Sequence, residues 1–104
     1  MDLLSDYEGR SIRFTEERWS HIAQHPEMTG IRGVVEETLR DPEAVVESLS
    51  DPSARLYYRY YQPTMVGGKY LCTVVKLTGV DAFVITSYLT DRVKGGKVLW
   101  PKES

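Results

Sequence analysis

The sequence predicts an α+β domain, with two N-terminal helices packed on one face of a four-stranded, or slightly larger, antiparallel sheet. Three observations predict it. Helical periodicity is confined to residues 15–40. From Ala44 onward the period switches to two, and Val, Tyr, Thr and Ile dominate. The later segments are joined by turns too short for crossover helices. The length of 104 residues suits one domain, taken as residues 10–104. The polar stretch 1–9 shows no period and is expected to be a flexible arm. A 41% hydrophobic and 27% charged composition places the chain among globular proteins and against wholesale disorder.

The elements follow in order. Arg10–Phe14 reads as a short edge strand. Thr15 is a good N-cap for a first helix, and Glu16 and Glu17 lie where the helix dipole favours negative charge. Phe14 and Trp19 are spaced to form a hydrophobic staple. Pro26 ends this helix at about His25. A second helix runs from about Gly30 to Arg40, with Ile31, Val34, Val35, Thr38 and Leu39 on one stripe, and Asp41-Pro42 closes it. Strands are predicted at Ala44–Leu49, Arg55–Gln62, Lys69–Leu77 and Ala82–Leu89, with Val98–Trp100 as a last short strand or docked tail. Asp51-Pro52-Ser53 is a turn signal, and Thr78-Gly79-Val80-Asp81 a tight hairpin. Met65-Val66-Gly67-Gly68 and Lys94-Gly95-Gly96-Lys97 are the expected flexible points.

Alternation along the strands assigns faces. Putting the more apolar face of each strand under the helices sends Leu56, Leu71, Val75, Leu77, Phe83, Ile85 and Leu89 to the core. The uncovered face then collects Arg55, Tyr57, Arg59, Tyr61, Lys76, Thr86 and Tyr88, an assignment that one β-bulge would partly reverse. Cations neutralise phosphate and tyrosine rings stack on unpaired bases, so this face is a candidate RNA surface. A plain solvated sheet face shows the same residue types.

His21 and His25 are the two histidines. Their i, i+4 spacing places them on one helical face together with Arg18. Metal-free RNA cleavage needs a base for the 2′-hydroxyl, an acid for the leaving oxygen and cations for the phosphorane-like transition state. His21 or His25 with Arg59 and Lys76 fit those roles, Thr86 and Tyr88 would position the phosphate, and Tyr57 and Tyr61 would stack bases. Two structural readings compete: a functionless surface pair, and His25 serving only as a cation at a helix C-terminus. A metal site is disfavoured, because Ile22 stands where the two-histidine zinc helix requires Glu, and Glu27 or Cys72 would have to complete the ligand set. Cys72 within an apolar strand reads as a small hydrophobe, not a nucleophile. No phosphate-cradling or dinucleotide-binding glycine motif occurs, and no cofactor is expected.

Trp19-Ser20-His21-Ile22, His25-Pro26-Glu27-Met28 and Val35-Glu36-Glu37-Thr38-Leu39-Arg40-Asp41-Pro42 resemble the helical start of phage-type nucleases of the barnase–EndoU–colicin–RelE (BECR) superfamily. Leu56-Tyr57-Tyr58-Arg59, Tyr70–Lys76 and Phe83–Tyr88 agree with it, so the likeness spans about residues 11–100. The order of elements is also similar to BrnT-type toxins. The resemblance implies two helices against a four-stranded antiparallel sheet, and metal-independent endoribonuclease activity on mRNA, tRNA or ribosome-bound RNA. It further implies a toxin role neutralised by an antitoxin protein. Carried over by position, the active residues become His21 or His25, Arg59 or Lys76, and Thr86 or Ser87. The formal charge of −2 departs from the basic character of RelE-like toxins, so any RNA contact must come from a local patch.

The alternative is a non-catalytic RNA- or protein-binding module of the same fold, since tyrosine and arginine also make protein hot spots. A homodimer across an edge strand is a third arrangement the pattern allows. No run of about 18 apolar residues occurs, so no membrane partner is expected. The start, Met1 to Asp6, lacks the regions of a secretory signal, and a single cysteine excludes an internal disulfide. A cytoplasmic location is the expectation.

Overall fold

The structure is a computed structural model that describes residues 2–62 and 67–101. The chain forms β1 (Asp2–Ser5), β2 (Ser11–Phe14), α1 (Glu16–Ile22), a 3₁₀ turn (Pro26–Met28) and α2 (Arg32–Arg40). It continues through β3 (Ala44–Glu47), β4 (Ala54–Tyr61), β5 (Lys69–Thr78), β6 (Asp81–Thr90) and β7 (Lys97–Trp100). The seven strands make one mixed sheet in the order β1-β2-β6-β5-β4-β3-β7, with the β2–β6 pair parallel and the rest antiparallel. The α+β class stands, but in place of a four-stranded or slightly larger antiparallel sheet the described residues form a mixed sheet of seven strands, two of which precede the helices.

The predicted elements are present with local boundary changes. Thr15 caps α1, its hydroxyl accepting the Arg18 N–H at 3.1 Å. The Phe14 and Trp19 rings meet edge to face at 6.2 Å, as the staple requires. In α2, Val35, Thr38 and Leu39 are buried, and Ile31 and Val34 pack against them. The Asp51 carboxylate closes the turn before β4 by accepting from the Ser53 N–H and hydroxyl. Of the two expected flexible points, Met65 and Val66 lie outside the described residues.

Residues 2–9 depart from the flexible-arm expectation. Asp2–Ser5 pairs antiparallel with Ser11–Phe14, so the expected edge strand is interior. Leu4 is buried, and Asp6 ties the connecting turn by accepting from the Glu8 and Arg10 N–H groups.

Register decides the two faces of the sheet. Both helices pack on the side that carries Tyr57, Leu71, Val75, Ala82 and Val84. The other side carries a smaller cluster of Val46, Leu56, Tyr58 and Cys72, flanked by Tyr70, Val74, Tyr88 and Val93. The core assignment is therefore corrected at three positions. Leu56 lies on the side away from the helices. Phe83, opposite Lys76, also lies there, its ring under the Arg13 guanidinium. Ile85 is the extra residue of a bulge, because Val74 faces Thr86 while Val75 faces Val84.

Candidate functional site

The predicted single chemical face is divided between the two sides of the sheet. Arg55, Tyr57, Arg59 and Tyr61 lie on the helix side, where Tyr57 and Tyr61 join the helix-side core. Lys76 is opposite Ala54, Thr86 opposite Val74 and Tyr88 opposite Cys72, all on the reverse side. Arg59 and Lys76 therefore do not converge, and Thr86 does not share a surface with Arg59. The physical reason lies in β4. Its two faces each carry two tyrosines, so leucine against arginine was a weak criterion; the structure keeps the arginines on the helix side by pairing their heads with carboxylates.

Each predicted strand cation is neutralised. The Arg59 Nε donates to Glu37 Oε1 at 3.1 Å, and its Nη1 to the Asp41 carbonyl at 2.8 Å. Arg55 contacts Glu8 at 3.3 Å. The Lys76 ammonium donates to Asp51 Oδ2, and together with the Ser53 donors it holds the Asp51 carboxyl down to about 2. A cation already paired with a carboxylate gives up that partner to bind phosphate, which weakens phosphate binding.

The predicted stacking and hydroxyl groups are likewise engaged. Tyr57 is 0% exposed and its hydroxyl donates to Asp6 Oδ2 at 2.7 Å; burial and that carboxylate push its ionisation well above the ordinary tyrosine value. The Tyr61 hydroxyl donates to Glu37 Oε1 at 3.1 Å and its ring lies under the Arg59 guanidinium. Ser87 is buried, sharing a 3.0 Å hydrogen bond with Thr73 and donating to the Cys72 carbonyl. Thr86 and Tyr88 are half-buried, and burial, with Cys72 beside it, raises the Tyr88 ionisation. Cys72 is fully buried and its thiol is pushed up by burial, which keeps it a thiol and a packing group.

The histidines remain in solvent. His21 lies in the last turn of α1 and lines a shallow concavity with Glu17, Arg18, Ser20 and Gln24. His25 is 70% exposed by side chain, with Nδ1 3.9 Å from Glu27 Oε1. The shared helical face is corrected: α1 ends at Ile22 and His25 caps the following 3₁₀ turn in extended backbone. Three-residue bonds, Gln24 N–H to His21 O and His25 N–H to Ile22 O, tighten the chain ahead of Pro26. Arg18, exposed beside His21, makes no ion pair among the described residues. Among those residues no group of three or more His, Cys, Asp or Glu is placed to hold a metal ion.

Sequence reasoning missed the acidic partners Asp6, Glu8, Glu37, Asp41 and Asp51. Asp6 and Asp51 carried local signals, as Asp residues two positions before an N–H group in a turn, but neither signal pointed to its long-range partner. Compared with known proteins, the chain matches no family model, no curated protein and no solved structure.

Proposed function

We propose that the protein is a small metal-independent endoribonuclease of the BECR type, working either as the toxin of a toxin–antitoxin pair or as a phage or mobile-element protein. The observations that carry this reading are that His21 and the unneutralised Arg18 line one shallow concavity on α1, and that His25 stands exposed at the start of the following 3₁₀ turn. Two imidazoles suffice for the chemistry. One takes the proton of a 2′-hydroxyl as its oxygen bonds to phosphorus. The other, protonated, gives its proton to the 5′-oxygen as that P–O bond breaks, leaving a 2′,3′-cyclic phosphate and a 5′-hydroxyl. Arg18 is the cation for the developing phosphorane charge. In this reading Arg59 and Lys76 are structural, because their charges are spent on Glu37, Asp41 and Asp51.

A second reading, a non-catalytic RNA- or protein-binding module, is favoured by that same neutralisation of the strand cations. One experiment separates the two: RNA cleavage in EDTA together with growth on induced expression, for wild type, His21→Ala and His25→Ala. The nuclease reading expects cleavage by wild type and a loss of about 100-fold or more in each variant, the range of general acid–base catalysis. A wild-type protein that leaves ribosomal and transfer RNA intact and growth unaffected overturns it in favour of the binding module.

A further inference from the structure

β6 ends beside β5, yet the next strand, β7, lies at the far edge of the sheet outside β3. The connection 91–96 therefore crosses β5, β4 and β3, and it does so on the side away from the helices. Val93 packs with Tyr58, Cys72, Tyr70 and Tyr88. The Lys94 N–H donates to the Tyr58 hydroxyl at 3.3 Å. At Gly96, with φ +155°, a Cβ would stand 2.7 Å from Val46 Cγ1 and 2.8 Å from the Glu47 carbonyl, so glycine lets this strap lie flush on β3.

The strap differs in charge from the sheet beneath it. Every described cation of β2, β4 and β5 is held by a carboxylate. Arg92, Lys94 and Lys97 are exposed and make no ion pair among the described residues. The neighbouring Asp91 is paired with Lys69 and acted on more weakly by Arg92, and Lys97 stands opposite Glu47 in the β3–β7 register. Beside the strap, Tyr70 of the Val93 cluster meets Tyr60 edge to face at 5.2 Å, and Tyr60 is 40% exposed. Exposed cations along a strap that begins beside an accessible aromatic ring are what an unpaired, polyanionic strand binds.

We propose that this strap is a docking site for single-stranded RNA, with Arg92, Lys94 and Lys97 on phosphates and Tyr60 offering its ring to a base. The proposal rests on the RNA reading above and names the local patch by which a chain of charge −2 holds a polyanion. The strap lies across the sheet from α1, so it holds the strand and leaves the proton transfers to the histidines.

The test is fluorescence anisotropy of a labelled oligouridine of about twelve nucleotides, within the length that small single-strand sites cover. Wild type is compared with the triple variant Arg92→Ala, Lys94→Ala, Lys97→Ala and with Tyr60→Ala. The triple variant is expected to bind tenfold or more weakly at low salt. Its salt slope should fall by about 2, from three phosphates at about 0.7 each. Tyr60→Ala should weaken binding about fivefold or more. Circular dichroism checks the fold; if the triple variant does not fold, the pair Arg92→Gln, Lys97→Gln leaves the Lys94 anchor in place and should lower the slope by about 1.4. Equal binding by wild type and folded variants, or binding of an acidic protein but no oligouridine, overturns the proposal. The two readings fail separately. Loss of binding in the triple variant with no effect of the histidine variants on cleavage removes the histidine mechanism and keeps the strap. Unchanged binding and cleavage in the triple variant removes the strap and keeps the nuclease.

Discussion

Removing one oxygen at Tyr57 tests the buried hydrogen bond that the structure assigns to it. The Asp6 side chain is wholly buried, and its charge is met by four donors. These are the Tyr57 hydroxyl at 2.7 Å, Arg10 Nη1 at 2.7 Å, and the N–H groups of Arg10 at 2.9 Å and Glu8 at 3.0 Å. Tyr57→Phe keeps the ring and its packing against Tyr7 and removes only the hydroxyl donor. A hydrogen bond to a charged acceptor contributes about 1.5–3 kcal/mol. Three donors still hold the carboxylate, so a loss of about 2 kcal/mol is expected, a fall in Tm of roughly 8–16 °C for a domain of this size. Thermal unfolding followed by circular dichroism measures it. A variant within about 0.5 kcal/mol of wild type, the range of neutral surface changes, refutes the buried Tyr57–Asp6 pair.

Two further outcomes follow from the packing and the ion pairs. Gly96→Ala forces a methyl group against Val46 and the Glu47 carbonyl at a positive φ; a loss of about 1–3 kcal/mol in urea unfolding is expected, in line with overpacked sites, and an unchanged midpoint would show that the strap does not lie flush. Asp51 ionises in the folded chain at about 2, below its ordinary carboxyl value, because of Lys76 and Ser53. A lowered folded value means that its contribution is fully present above about pH 4 and is lost as pH falls toward 2. Asp51→Asn should therefore flatten the acid limb of the stability–pH curve across that window, and an unaltered limb in the variant would place the acid sensitivity elsewhere.

Much of the local structure was legible in the residues. The Thr15 cap, the Phe14–Trp19 staple, the α2 stripe and the Thr78–Asp81 hairpin each depend on neighbours within a few positions, and each is present. Boundaries moved where a competing local bond won, as at Ile22, where three-residue bonds replace the helical ones before Pro26. The candidate site was less legible. Residue types suited to RNA chemistry were readable, but whether Arg55, Arg59 and Lys76 are available depends on Glu8, Glu37 and Asp51. No periodicity links a cation to a carboxylate 22 to 47 positions away.

By itself the sequence determined the α+β class, the order and type of most elements, and the alternation along each strand, because hydrogen bonding within a turn of helix and side-chain period are short-range properties. Only the tertiary structure decided which side of β4 meets the helices, that residues 2–5 complete a sheet edge, and that 91–96 strap the opposite face. A single bulge opposite Val74 and Val75 sets Val84 inward and Thr86 outward, and the burial of two tyrosines with their acidic partners outweighs the preference of one leucine. Those choices are made by the whole sheet closing over one core, where the free energy of each face depends on every strand laid against it.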